Sequence, residues 1–151
     1  MWEIARLGGE NAPVSLAAVS RRGHLSRNSL APLALALRNR GLLRAVRGKD
    51  GGYGLARPSS QITIGEIIEA ATGPISIVEC VRNPESCLRS DACDCRPAYA
   101  LLNDQIAEVL DRVTLAEMMD SVWVSTMRTN RNALLSSRST TPASSKTFGP
   151  T

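Results

Sequence analysis

The sequence predicts a mainly α-helical protein with one small β-hairpin, and three observations predict it. Aromatic residues make up only 3% of the 151, while hydrophobic residues reach 43%, so the core must be aliphatic. Apolar residues recur at helical spacing in runs that open on Ser or Thr and close on Gly or Asn. A single glycine-rich loop separates two short apolar runs, which is the pattern of a hairpin.

The elements follow in order. IleAlaArgLeu at positions 4–7 reads as the last turn of a helix stopped by Gly8-Gly9. Residues 14–20 carry apolar side chains at helical spacing and end at Gly23. A second helix opens with Ser26 as N-cap, sets Leu30, Leu33 and Leu37 on one face, and ends near Asn39-Arg40-Gly41. Two short helices joined by about four residues that include a glycine form a helix-turn-helix. Pro32, inside the second, should bend its axis. Residues 42–47 read as a strand and 53–56 as its return, with residues 48–52 supplying the positive-φ positions of the turn. That loop lacks the spacing of a phosphate-binding loop. A hairpin directly after a helix-turn-helix is a wing.

Thr63-Ile64-Gly65-Glu66 is a capping box that opens a helix through Ala71, stopped by Gly73-Pro74. Beyond Pro97 a long helix places Leu102, Ile106, Val109 and Val113 in a seam that fits packing on its own domain and, with no other large apolar surface to cover it, fits pairing with a second subunit better. Thr114-Leu115-Ala116-Glu117 is a second capping box. From about Ser125 the chain is rich in Ser, Thr and Asn and is expected to be a disordered tail, with Trp123 a loose packing contact.

Charge is divided unevenly. Residues 1–58 hold ten Lys and Arg against three acidic residues, a net +7, and residues 59–151 hold eight against eleven, a net −3. This suggests a nucleic-acid-binding module joined to something else. No run of 18 apolar residues exists, which excludes a membrane-spanning helix. The start, MWEIARLGGENAP, is not a signal peptide, so the expected compartment is the cytoplasm with its thiols reduced.

All four cysteines fall in CVRNPESCLRSDACDC, residues 80–95. A tight polar cluster of thiols points to ligands converging on one object: an iron–sulfur cluster, a zinc ion, or free thiols that sense oxidant. The only histidine, His24, lies in the helix-turn-helix turn, where a structural or DNA-proximal role fits better than ligation. With no other base for the thiols, a cysteine-dependent enzyme is disfavoured, and the expectation is that the chain is not an enzyme. A helix-turn-helix reads bases with the N-terminal end of its second helix, here Ser26, Arg27, Asn28 and Ser29. Asn28 can bond adenine and Arg27 guanine, or either can hold phosphate. In the wing, Arg47 looks like a minor-groove contact and Lys49 a phosphate contact, with Gly51 and Gly52 letting backbone approach DNA.

The order of parts resembles a known family. LSRNSLAPLALALRNRGLLRAVRGKDGGYGLARP is similar to the recognition helix and wing of the IscR/NsrR/RirA family of bacterial winged-helix transcription regulators. ITIGEIIEAATGPISIVEC resembles its linking helix, and the cysteine loop with RPAY and VLDRVTLAEMM resembles its sensor loop and dimerisation helix. Arg47-Gly48, Gly51-Gly52-Tyr53 and the cysteine spacing are its most specific pieces.

The resemblance implies a homodimer on double-stranded DNA, a repressor whose binding is controlled by a cluster of 2Fe–2S or 4Fe–4S type. Its ligands would be Cys80, Cys87 and Cys93, with Cys95, Asp94 or a residue from a missing N-terminus as the fourth, since Arg96 cannot ligate. The signal would be nitric oxide, iron, oxygen or redox state. Gly52 and Tyr53 would join the wing's DNA contacts. The alternative is a zinc-stabilised or thiol-redox DNA-binding protein without a cluster. Two departures stand out: the family's first helix begins about three turns before Met1, and Ala31 and Pro32 occupy positions that are polar in IscR-type members. The expected organisation is a winged helix-turn-helix domain over 1–73 with a truncated first helix, a cluster loop over 74–96, a dimerisation region over 97–122, and a disordered tail over 123–151.

Overall fold

The computed structural model describes residues 1–48 and 50–138, with side chains described as far as Asn130 apart from Lys49. It divides into one unit over Met1–Met119 and a second from Asp120 onward.

In the first unit, α1 (Trp2–Arg6) ends before Gly8, whose φ of 88° turns the chain away. α2 (Leu16–Gly23) begins where the Ser15 hydroxyl accepts the Ala18 N–H at 3.2 Å. It stops at His24, which takes the left-handed conformation at φ 51° and lets the Leu25 N–H reach the Ser20 carbonyl at 3.1 Å. That is a structural role for the lone histidine. α3 (Arg27–Asn39) continues through Pro32 as one element and buries Ala34 and Leu37. Leu33, expected on the buried face, is 41% exposed, because the core-facing stripe runs through Leu30, Ala34 and Leu37 instead.

β1 (Leu43–Val46) and β2 (Gly52–Leu55) pair antiparallel, with Leu43 opposite Leu55 and Val46 opposite Gly52. The segment between α1 and α2 joins this wing. Val14 donates to the Tyr53 carbonyl at 2.9 Å and accepts the Tyr53 N–H at 2.8 Å, while the Leu55 N–H donates to the Gly9 carbonyl at 2.8 Å. Val14 is therefore a bridge residue and not the first residue of α2, as its helical spacing suggests.

Of the three turn glycines only Gly48 has positive φ, at 121°. Gly51 and Gly52 answer a different need. A Cβ on Gly52 would lie 2.5 Å from the Val14 carbonyl carbon and 2.9 Å from the Ser15 nitrogen, and one on Gly51 would lie 2.9 Å from the Gly48 oxygen. These glycines admit the protein's own backbone.

Past a 3-10 turn (Ser59–Gln61), α4 (Ile64–Thr72) opens on a complete capping box. The Glu66 N–H donates to the Thr63 hydroxyl at 3.2 Å, and the Thr63 N–H donates to the Glu66 carboxylate at 3.0 Å. Gly73, at φ 86°, ends the helix. α5 (Glu79–Arg82) and two 3-10 turns (Pro84–Ser86 and Ser90–Ala92) carry the cysteines. α6 (Arg96–Arg112) follows, then α7 (Leu115–Met119), whose capping box has the Thr114 N–H on the Glu117 carboxylate at 2.7 Å.

The expected border between the DNA-binding domain and the region from residue 97 onward is not where the core ends. Leu115 on α7 is 1% exposed beside Leu42 and Ile62, in the same cluster as Leu37, Leu43 and Leu55. Two backbone bonds hold it there, Leu115 N–H to the Ile62 carbonyl at 2.8 Å and Ile64 N–H to the Val113 carbonyl at 2.9 Å. The Trp2 indole N–H also donates to the Met118 carbonyl at 3.3 Å. Val113 thus lies past α6, in this junction, and leaves the expected seam. α6 itself has two faces. Ala100, Asn103, Ala107 and Leu110 are half-buried, and Tyr99, Leu102, Ile106 and Val109 are exposed.

In the second unit, α8 (Ser121–Arg138) is a helix where composition predicts disorder from about Ser125. The Asp120 carboxylate starts it by accepting the Val122 N–H at 2.8 Å and the Trp123 N–H at 3.4 Å. Residues 139–151 of the expected tail lie outside the described residues.

Two outcomes follow from this packing. Gly52→Ala should cost about 1–3 kcal/mol in denaturant unfolding measured without DNA, as overpacking against fixed backbone does; wild-type stability with weakened DNA binding would instead give Gly52 a role at the interface. The second outcome concerns acid. At Glu66, burial raises the carboxyl pKa but is outweighed by the Arg57 and Thr63 hydrogen bonds and the Arg57 charge, and the pKa is lowered. Hydrogen bonds from Ser59 and from Thr114 likewise lower Glu10 and Glu117. A lowered carboxylate contributes stability that is complete above its unfolded value, about 4.5, and is lost as pH falls through the folded value. Thermal midpoints should hold between about pH 7 and 5 on this account and decline below about 4.5. Glu66→Gln should show a smaller decline.

Candidate nucleic-acid interface and cysteine loop

Apart from Arg38, which donates to the neighbouring Asn39 amide oxygen at 3.4 Å, the arginines of the first half sort into two groups. Arg6 stacks over the Trp2 ring at 4.7 Å, Arg22 pairs with Glu3 at 2.9 Å, and Arg57 pairs with Glu66 at 2.8 Å. Arg44 donates to the Glu10 carbonyl at 3.3 Å. These hold elements together. Arg21, Arg27, Arg40 and Arg47 are exposed and have no side-chain partner among the described residues.

Ser26, Arg27, Asn28 and Ser29 form the first turn of α3, and all are exposed. Ser26 is the N-cap by position, yet its hydroxyl makes no capping bond. The side chains of this turn are therefore free to reach a ligand, as a base-reading end requires. Arg47 follows β1 directly and is exposed in the wing. Lys49 lies outside the described residues. Gly52 and Tyr53 are placed differently from Arg47. Tyr53 commits both backbone groups to Val14 and packs half-buried against the core, and Gly52 is closed against Val14 and Ser15. Arg21, in the last turn of α2, is an exposed cation that the sequence reading did not single out; its basic last turn was the available signal.

In the cysteine loop all four thiols are free. Cys80 lies on α5, Cys87 and Cys93 each close a 3-10 turn, and these three are half-buried. Cys95 is exposed at the N-cap of α6. Backbone bonds chain the turns together: Cys87 N–H to Pro84 at 3.2 Å, Ser90 N–H to Cys87 at 3.0 Å, and Arg96 N–H to Cys93 at 3.2 Å. The Arg96 guanidinium donates to the Cys80 carbonyl at 3.2 Å, and the Asn103 amide oxygen accepts the Ile77 N–H at 3.1 Å, so the start of the loop is tied to α6, into which its other end runs directly. A cleft of about 310 Å³ opens between Val81, Ser90, Cys93, Arg96 and Pro97.

Four reduced thiols on so short a segment suit an iron–sulfur cluster as a donor set. In this arrangement, however, no three His, Cys, Asp or Glu side chains among the described residues stand close enough to share a metal ion. Holding a cluster requires the turns to close on one another.

Comparison with known proteins fits the fold and charge just described. A family model for Rrf2, an iron-dependent transcriptional regulator, matches residues 1–121. A helix-turn-helix-type transcriptional regulator of Haemophilus influenzae is 38% identical over 114 residues, covering 76% of this chain and 75% of that one. The regulator CymR of Bacillus subtilis is 36% identical over 118 residues, covering 78% and 80%. The solved structure of that protein, described as the global cysteine regulator, superimposes with a TM-score of 0.59 over 77% of this chain and 85% of that chain. IscR of T. potens superimposes with the same TM-score at 33% identity, over 78% and 76%. No helix among the described residues is long and apolar enough to cross a membrane. A helix-turn-helix with a wing, exposed arginines without side-chain partners among the described residues and this kinship lead to one conclusion: the chain belongs to the Rrf2 family of winged-helix transcriptional regulators, DNA-binding proteins and not enzymes.

Proposed function

We propose that this protein is a homodimeric, cytoplasmic repressor whose hold on DNA is set by an iron–sulfur cluster bound in the loop over residues 80–95. The observation that carries the reading is the anchoring of that loop. Four free thiols lie on turns tied by Arg96 and Asn103 to α6, the helix that also presents an exposed apolar stripe. A change in the loop is thereby a change at the element through which two subunits would meet.

Arg27 and Asn28 would read base edges, Ser26 and Ser29 would position the helix, and Arg47 with Lys49 would follow the wing's groove and phosphates. The stripe of Tyr99, Leu102, Ile106 and Val109 repeats every three and four residues, the spacing of a helix that packs on a copy of itself. Cys80, Cys87 and Cys93 would hold the cluster, with Cys95 or a non-cysteine group as the fourth ligand. A bound cluster would supply a redox-active centre that nitric oxide, oxygen or iron supply can alter. Closing the loop costs conformational entropy that the thiolate bonds must offset, so losing those bonds releases the loop.

A second reading rests on the separation of the thiols. As folded, the loop is already ordered with its cysteines reduced and partly accessible, which suits direct thiol oxidation with no metal.

Ile106→Asp should turn the dimer into monomer in sedimentation velocity without loss of helical content, because Ile106 is 42% exposed in the single chain. A dimer that survives the substitution would place the interface elsewhere. For the loop, anaerobically purified protein should show iron, sulfide and visible absorption. Cys80→Ala, Cys87→Ala and Cys93→Ala should each abolish these signals and change DNA affinity several-fold, and Cys95→Ala should do less. Equal loss in Cys95→Ala would make it the fourth ligand. Colourless protein whose DNA binding responds to peroxide would favour the thiol reading.

A further inference from the structure

The outer side of α3 turns apolar one helical turn past its polar start. Leu30, Ala34 and Leu37 face the core. At about 3.6 residues per turn, Asn28, Pro32, Leu35 and Asn39 share the opposite stripe, with Ala31 on its flank. All of these are exposed, Leu35 by 45%, and Leu35 stands outside the core cluster. The stripe thus begins with an amide at Asn28 and continues as hydrocarbon through Pro32 and Leu35.

The charges of this half of the chain say what covers such a face. Arg21, Arg27, Arg40 and Arg47 are exposed without side-chain partners among the described residues, and residues 1–58 carry a net +7. Two of the three acidic residues there are engaged: Glu3 pairs with Arg22 at 2.9 Å, and Glu10 accepts the Ser59 N–H at 2.6 Å. A polyanion complements these surroundings, and the chain belongs to a family of DNA-binding regulators. In the major groove every base pair presents donors and acceptors, and thymine alone adds an apolar group, its C5-methyl. A proline ring and a leucine side chain suit that methyl. Set against the amino group of cytosine they would leave a donor without a partner, which is costly.

We propose that the outer stripe of α3 reads thymine. Pro32 and Leu35, with Ala31 beside them, meet C5-methyl groups on the base-pair steps that follow the one held by Asn28. The inference rests on the DNA-binding reading of α3 and adds to it the class of base. At about 1.5 Å per residue, Asn28 and Leu35 lie about 10 Å apart along the axis, which spans about three base steps of about 3.4 Å. Asn28 suits adenine, to which an amide bonds bidentately, so the preferred site is rich in A·T pairs.

The test removes the methyl and nothing else. Duplexes enriched by the wild-type chain from a random-sequence pool are resynthesised with uracil in place of thymine, and the two affinities are compared by anisotropy. Burying one such carbon group is worth about fourfold in affinity, so each contacted thymine should give that loss when replaced. A variant joining Pro32→Gln and Leu35→Gln should bind thymine and uracil duplexes alike. A variant joining Arg27→Ala and Arg47→Ala should weaken both and keep their ratio. Equal binding of both duplexes by the wild-type chain, with the arginine variant weakened, overturns the inference and leaves the DNA-binding reading intact. A uracil loss that persists in the glutamine variant assigns the methyl effect to another residue or to DNA shape and also overturns it. So does weaker self-association of the DNA-free glutamine variant with an unchanged ratio, which gives the stripe to a protein partner. A wild-type chain that enriches no duplex overturns the DNA-binding reading and the inference with it.

Discussion

Two backbone hydrogen bonds, from Leu115 to Ile62 and from Ile64 to Val113, fix where nearly everything else in the first unit can be. They join the openings of two capped helices, so the four partners Thr63, Glu66, Thr114 and Glu117 gather around one short bridge. Ile62 and Leu115 meet there with almost no exposure, each burial contributing about 1.5–3 kcal/mol. Because the bridge returns the chain to the winged domain, α6 is held at its far end as well as at the cysteine loop. A close approach reinforces this: Gly65 on α4 leaves room for Asp111 on α6, where any Cβ would collide with the carboxylate. The exposed stripe of α6 is therefore carried by a helix that does not swing freely.

Features encoded within a few residues were legible in the sequence. Both capping boxes, the N-cap position Ser26 and the helix stops at Gly8 and Gly73 depend on neighbours three or four positions away. Features that depend on distant partners were not. The pairing of Val14 with Tyr53, the seating of Leu115 beside Ile62 and the reason for Gly52 all rest on contacts that no local pattern encodes. α8 was missed for a different reason. Its Ser and Thr residues lower helix propensity by competing for backbone, but here Ser125, Thr126 and Thr129 bond carbonyls three or four residues back and remain compatible with the helix.

The candidate interface was legible in the same uneven way. Residue type and position pointed to Arg27 and Arg47, which are exposed at the start of α3 and in the wing and have no side-chain partner among the described residues. Type alone would have included Arg44 and Arg57, which the structure assigns to Glu10 and Glu66. The four cysteines were visible as a group, yet their spacing along the chain did not reveal that Cys80 sits within α5, that Cys87 and Cys93 close separate 3-10 turns, or that Cys95 caps α6. Backbone order within those turns works against a shared coordination sphere, and thiolate bonding would have to overcome it.

The indole of Trp2 and the carbonyl of Met118 meet across 116 residues of sequence. During synthesis the aliphatic core around Leu42 and Ile62 cannot be completed until α7 has left the ribosome. By then the whole cysteine segment is already outside and reachable by solvent. The order of translation thus gives the thiols their first encounter with the cell's metals and oxidants before the winged domain is fully closed, so the chemistry of the loop and the completion of the DNA-binding fold overlap in time.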